Sequence, residues 1–260
     1  MYILIGFAVL VLLLYGQYLK KKFIRRKLAV PAGLKTLLQN NVAYYQQLTD
    51  TEKQRFEKDC SDFLKQVKVE GVGATVEDLD KVLVAASAII PIFGFKDWKY
   101  FNLTNVILYP DTFNEQYQFE GQPDGHERNV LGMVGSGAMN GQMLLSQHAL
   151  REGFLQQGHG NTAIHEFVHL LDKSDGAVDG IPENLLEHAY SVPWLQLIHH
   201  EIQRIKGGHS DINPYAATNP AEFFAVASEY FFQRPHLLES HHPELYTMLV
   251  RIFHQQPGKN

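Results

Sequence analysis

Thr162-Ala163-Ile164-His165-Glu166-Phe167-Val168-His169-Leu170-Leu171 places two imidazoles and a carboxylate on an otherwise apolar run. Read as a helix, His165 and His169 are i and i+4. They share a face one turn apart and can reach one ion. Glu166 is offset by one residue, so it sits beside such an ion rather than on it. That suits a base acting on metal-bound water. Ile164, Phe167, Val168, Leu170 and Leu171 would bury the helix and hold the ligands rigid. Asn161 or Thr162 offers an N-cap after the turn at Gly158–Gly160. A buried helix with two satisfied histidines and an exposed Glu166 has the same spacing, so support must come from elsewhere in the chain.

A catalytic zinc needs three protein ligands and one open position. A close-spaced ligand would be Asp175, reached by a sharp turn after His169. Asp172 stands where that turn needs a glycine, and it resists the positive φ required. The other route is a glutamate on a later helix, Glu222 or Glu229, which are i and i+7 and share a face. Asn219-Pro220-Ala221-Glu222 reads as N-cap, proline at the first position and an acid at the third. Glu222 therefore has an ordinary capping role open to it. Its apolar neighbours Phe223, Phe224, Ala225 and Val226 argue for a cation beside the carboxylate. Glu229 reads as a surface acid or an acid behind a ligand. Asp172 and Asp175 read as loop acids or as acceptors for a ligand histidine N–H.

At 260 residues and 45% hydrophobic, the chain can bury a full core, as one domain or as one domain with an appendage. A net charge of -5 gives no case for a nucleic-acid partner. The single cysteine, Cys60, excludes an intramolecular disulfide and a cysteine-only zinc site.

Residues 2–18 form an uncharged apolar run, followed by Lys20-Lys21-Lys22 and Arg25-Arg26-Lys27. A run of this length is at the short end for a membrane span. The positive charges come after the run rather than before it, unlike a cleavable signal peptide. We therefore expect a single-pass anchor over 1–19 and a basic juxtamembrane linker over 20–33. The catalytic domain, 34–256, then lies in the cytoplasm, tethered to the inner membrane.

Helices are expected over Leu34–Leu48, from the Thr49 capping box to about Val69, and from Thr75 to Pro91. Strands are expected at Asn105–Tyr109, Asn129–Val134 and Gln142–Ser146. Gly141–Ser146 is the candidate sheet edge to which an extended peptide could add itself, with an interior strand as the alternative. Further helices are expected over His148–Gln157, from Pro193 to Lys206, from Pro220 to Gln233 and from Pro243 to Gln255. The pairs His199-His200 and His241-His242 read as surface residues. The fold class is α+β, a small mixed sheet packed on several helices.

HEFVHLLD at 165–172, Asp179-Gly180-Ile181-Pro182 and, above all, INPYAATNPAEFFAVASEYFF at 212–232 resemble the zinc peptidases typified by Mlc titration factor A. The similarity runs from about Leu34 to the C-terminus. It implies a zincin-like, gluzincin-type peptidase related in its core to the lethal factor catalytic domain. It implies one Zn2+ per chain held by His165, His169 and Glu222, with Glu166 as general base. It implies that Tyr215 lies near the metal and stabilises the transition state. The substrate would be a peptide or protein, and by resemblance alone a repressor of the Mlc type is a partner. The apolar N-terminus departs from the soluble member of that family. A rival reading is a membrane-tethered binding protein that sequesters a transcriptional regulator around a structural zinc. The intact Glu166 argues against it, because a structural site has no use for that acid.

Overall fold

The computed structural model describes residues 15–16, 28–100, 102–112, 132–134, 141–155, 160–186 and 188–259. Apart from Tyr15, Gly16 and residues 28–33, the expected anchor over 1–19 and linker over 20–33 lie outside them. Among the described residues, no helix is long and apolar enough to cross a membrane.

The chain is mixed α+β. In chain order it forms α1 (Leu34–Asn41), α2 (Ala43–Gln46), α3 (Asp50–Leu64), β1 (Lys68–Gly71), α4 (Asp78–Ile92), β2 (Asn105–Tyr109), β3 (Gly132–Val134), β4 (Gln142–Ser146), α5 (Gln147–Glu152) and α6 (Thr162–Asp172). Then come α7 (Ser191–Lys206), a 3-10 turn at Pro214–Ala217, α8 (Pro220–Gln233), α9 (Pro235–His241) and α10 (Pro243–Phe253).

The sheet order is β1-β2-β4-β3, with β1, β2 and β4 parallel and β3 antiparallel to β4. Gln142–Ser146 is thus an interior strand, not the expected edge. The edge next to it is Gly132–Val134, of which Met133 pairs with Leu144. Asn129, Val130 and Leu131 of that expected strand lie outside the described residues.

Local signals explain most boundaries. Thr49 accepts from the Glu52 N–H, and the Glu52 carboxylate accepts from the Thr49 N–H at 3.0 Å, the reciprocal box that opens α3. The first expected helix is broken at Val42, whose extended backbone separates α1 from α2. The third helix is capped at Glu77, with Asp80 completing its box, rather than at Thr75, and it ends one residue past Pro91. The second expected helix overran: α3 stops at Leu64, and Lys68–Gly71 pairs with β2. Four residues carry too little periodicity to announce a strand. Distant bonds hold this one, Lys68 N–H to the Thr104 carbonyl and Val72 N–H to the Leu108 carbonyl, both 2.9 Å.

α4 is buried along most of its length and packs between α3 and α6. α6 lies against α8 and under β3. Trp194, Phe223, Phe224, Phe231 and Phe253 are fully buried and bring α7, α8 and α10 together. Side chains of this size each contribute about 1.5–3 kcal/mol on burial. That aromatic core holds α8 against α7 and α10.

Candidate metal centre

α6 opens as its sequence requires: the Asn161 side-chain oxygen accepts from the Ile164 N–H at 3.0 Å. Ala163, Ile164, Phe167, Val168 and Leu171 are buried, leaving His165 and His169 on one face. Asn219 caps α8 by accepting from the Glu222 N–H at 2.9 Å. This sets Glu222 in the first turn of α8, where its side chain leaves the helix toward α6.

The helices meet at three donor atoms. His165 Nε2 is 3.0 Å from Glu222 Oε2 and 3.1 Å from His169 Nε2. His169 Nε2 is 3.5 Å from the same Glu222 oxygen. Ligands about 2.0–2.1 Å from a tetrahedral zinc stand about 3.3 Å from one another. The triangle therefore has the size such an ion needs. Among the described residues, His165, His169 and Glu222 are the group of three or more that can converge on a metal.

Asp175 is not part of it. Its two oxygens accept from Ala177 N–H and Glu183 N–H, both at 3.0 Å, so it is spent on its own loop. The loop turns at Gly176, with φ of 107°. Asp172 is fully buried rather than a solvated loop acid, and its Oδ2 accepts from Gly180 N–H at 2.9 Å. Neither aspartate is hydrogen-bonded to His165 or His169. That acceptor is Glu229: Oε1 is 2.7 Å from His165 Nδ1, and Oε2 accepts from the Asn161 N–H at 2.6 Å. One carboxylate thus orients the His165 imidazole and braces the start of its helix. A Cβ on Gly160 would lie 2.8 Å from Glu229 Oε2, which explains the glycine there.

Charge follows geometry. Burial opposes a charged His165, but the hydrogen bonds to Glu222 and Glu229 outweigh it and raise the imidazole to about 10. Burial likewise opposes the Glu222 carboxylate, yet His165 and His169 hold it well below the usual range. Glu166 is buried, and burial pushes its carboxyl up. A carboxylate raised in this way is a better proton acceptor at neutral pH. Tyr215 sits on the 3-10 turn, 43% exposed, with its ring centroid 6.1 Å from that of His165.

The sequence reading missed Gly132. A Cβ there would stand 2.7 Å from Glu166 Cγ and 2.8 Å from Glu166 Oε1. The edge strand runs so close over Glu166 that any larger residue would displace its side chain. A glycine inside an apolar run was the available signal. The expectation that both histidine pairs lie at the surface also needs correction. His199, His200 and His241 are exposed, but His242 is buried, at 3%.

The family described as Glucose-regulated metallo-peptidase M90 matches residues 16–254. The chain belongs to that family. Its members are metallopeptidases by description, which implies a metal. This M90 chain is 30% identical over 249 residues to an uncharacterized protein of Synechocystis sp., covering 92% of this chain and 88% of that one. It is 28% identical over 227 residues to Mlc titration factor A of Pectobacterium atrosepticum, covering 81% and 82%. Mlc titration factor A of Yersinia pestis is 27% identical over 234 residues, covering 84% and 83%. The M90 match spans α6, the 3-10 turn and α8, so all the residues above fall within it.

Proposed function

We propose that this protein is a zinc-dependent peptidase with a zincin-like core, holding one Zn2+ through His165, His169 and Glu222. The observation that carries this reading is the triangle of three donor atoms 3.0 to 3.5 Å apart, drawn from two helices. Two imidazoles and one carboxylate are the donor set of a catalytic zinc, and they leave a position open. When bound, the ion supplies Lewis acidity to a water and to a peptide carbonyl.

The chain's own residues do the rest. Glu166 accepts the proton of the attacking water and passes it to the leaving amine. Tyr215 donates its hydroxyl hydrogen toward the oxyanion that develops on the carbonyl. Glu229 keeps the His165 Nδ1–H in place, so that Nε2 presents its lone pair to the ion.

The test is metal content set against cleavage. Glu166→Gln is expected to retain zinc and lose about 10²–10⁴-fold in chelator-sensitive peptide hydrolysis. Glu222→Ala is expected to lose zinc, and Asp175→Ala to keep it. Zinc retained in Glu222→Ala and lost in Asp175→Ala would overturn the ligand set.

The name of the relatives, Mlc titration factor A, favours a second role beside the first, binding of a regulator of the Mlc type. Co-purification of such a regulator with Glu166→Gln would separate binding from hydrolysis. We further propose that residues 1–19 anchor the chain in the inner membrane, with the catalytic domain in the cytoplasm. Alkaline extraction of membranes would release the protein if that anchor were absent.

A further inference from the structure

Away from the metal centre, the described residues hold a second cluster of buried and half-buried titratable groups, centred on His242. Its Nδ1 is 2.9 Å from Glu201 Oε2 on α7, and its Nε2 is 2.7 Å from Asp211 Oδ1. Both ring nitrogens face carboxylates, so only the imidazolium satisfies both. Glu201 also accepts from Arg204 at 2.9 Å. The other Asp211 oxygen accepts from the Tyr230 hydroxyl at 2.5 Å and is 2.8 Å from His241 Nδ1. The Arg234 guanidinium lies over the Tyr230 ring at 4.6 Å. Four parts of the fold, α7, α8, the junction of α9 with α10, and the segment after α7, are thus tied at one imidazole.

That segment leads to the metal centre. It leaves α7 through Gly207 and Gly208, the latter with φ of 71°, and is tied back to α7 at His209, whose N–H donates to the Arg204 carbonyl at 2.9 Å. Beyond that bond, Asp211 pins it by its side chain. Ile212 is buried next to it, and Asn213 Oδ1 then accepts from Tyr215 N–H at 3.0 Å to start the turn. Tyr215 is four residues from the pin.

We propose that His242 is a positioning residue for the Tyr215 turn: by fastening Asp211 to Glu201 it holds the Tyr215 ring beside His165. This rests on the reading of Tyr215 as a site residue given above. The hydrogen bond to Glu201, with that to Asp211, outweighs burial and raises the His242 imidazole from its ordinary 6.5. A raised histidine gives its full contribution below the unfolded value, and that contribution is lost as pH rises through the folded one. The clamp therefore loosens on the alkaline side. Removing the Glu201 charge brings that loss to lower pH.

The experiment uses the full-length chain, with His242→Gln, Asp211→Asn and Glu201→Gln. Hydrogen exchange is read on peptides covering 209–217 and, as a control, 162–172. Zinc affinity and peptide kcat against pH are measured on the same samples. In His242→Gln, 209–217 is expected to exchange at least about tenfold faster with 162–172 unchanged. Zinc affinity stays within about twofold, and kcat falls about 10–100-fold at unchanged KM. In Glu201→Gln, kcat near pH 6 is retained and the alkaline limb moves down by about one pH unit.

Wild-type protection of 209–217 in both His242→Gln and Asp211→Asn overturns the proposal, as does an unmoved alkaline limb in Glu201→Gln. If His242→Gln loosens 162–172 as well, the milder Asp211→Asn decides, since Asp211 is partly exposed. If the wild-type protein cleaves no peptide, the peptidase reading fails and the exchange data alone decide the clamp.

Discussion

Glu229→Gln isolates what an acid behind a metal ligand contributes. In the wild-type protein, Glu229 receives two donors, the Asn161 backbone N–H at 2.6 Å and His165 Nδ1 at 2.7 Å. With Nε2 turned to an ion, Nδ1 must carry the hydrogen. Glutamine has one oxygen for two donors, so one hydrogen bond is lost and an amide NH2 faces an N–H. The side chain is only 13% exposed, so water does not readily replace the missing partner. Hydrogen bonds to charged groups contribute about 1.5–3 kcal/mol. At about 1.4 kcal/mol per tenfold, zinc should bind about 10–100 times more weakly. That agrees with what loss of an outer partner costs in other sites. Competition against a zinc-chelating fluorophore measures it, with Glu222→Ala alongside as the loss of a direct donor. The expected order is wild type, then Glu229→Gln, then Glu222→Ala. Affinity of Glu229→Gln within twofold of wild type would refute the reasoning.

Gly132→Ala should push the Glu166 carboxylate aside, because the new methyl falls 2.7 Å from its Cγ. Peptide kcat is expected to fall by about 10²-fold with zinc content preserved, and an unchanged kcat would count against Glu166 as the base. Asp172 offers a pH test on the metal-free protein. Burial raises its carboxyl from 3.8 to about 6, so the folded state holds a proton that the unfolded chain has released, and stability falls as pH rises across that window. Asp172→Asn keeps an acceptor for Gly180 N–H and should be more stable at pH 7 by at most about 3 kcal/mol, with a flatter denaturation midpoint between pH 4 and 6. Thr49→Ala removes the cap that accepts from Glu52 N–H, and chemical denaturation should show a loss of about 0.5–2 kcal/mol.

Helix bounds were legible where a cap and a periodic face agree. Asn161 and Asn219 each cap the helix expected of them, and α8 runs from Pro220 to Gln233 as read. β1 was not legible, because Lys68–Gly71 is extended only by virtue of pairing with β2. The place of β4 was not legible either. Its apolar run suits an edge backed by a helix as well as an interior position, and β3 decides the matter by pairing with it. His242 looked like half of a surface pair, since its two acidic partners lie 41 and 31 residues away.

The amino-acid order alone put His165 and His169 on one helical face, because four residues at 3.6 per turn bring two side chains together whatever else the chain does. It also set Glu222 in the first turn of a capped helix. Which acid stands between the two imidazoles was left open by the residues among Asp175, Glu222 and Glu229, and the packing of α8 on α6 brings Glu222 there. That choice depends on where α6 and α8 cross, each with its apolar face buried in one core. No spacing along the chain encodes such a crossing, because the contacts that define it arise only when distant segments exclude water together.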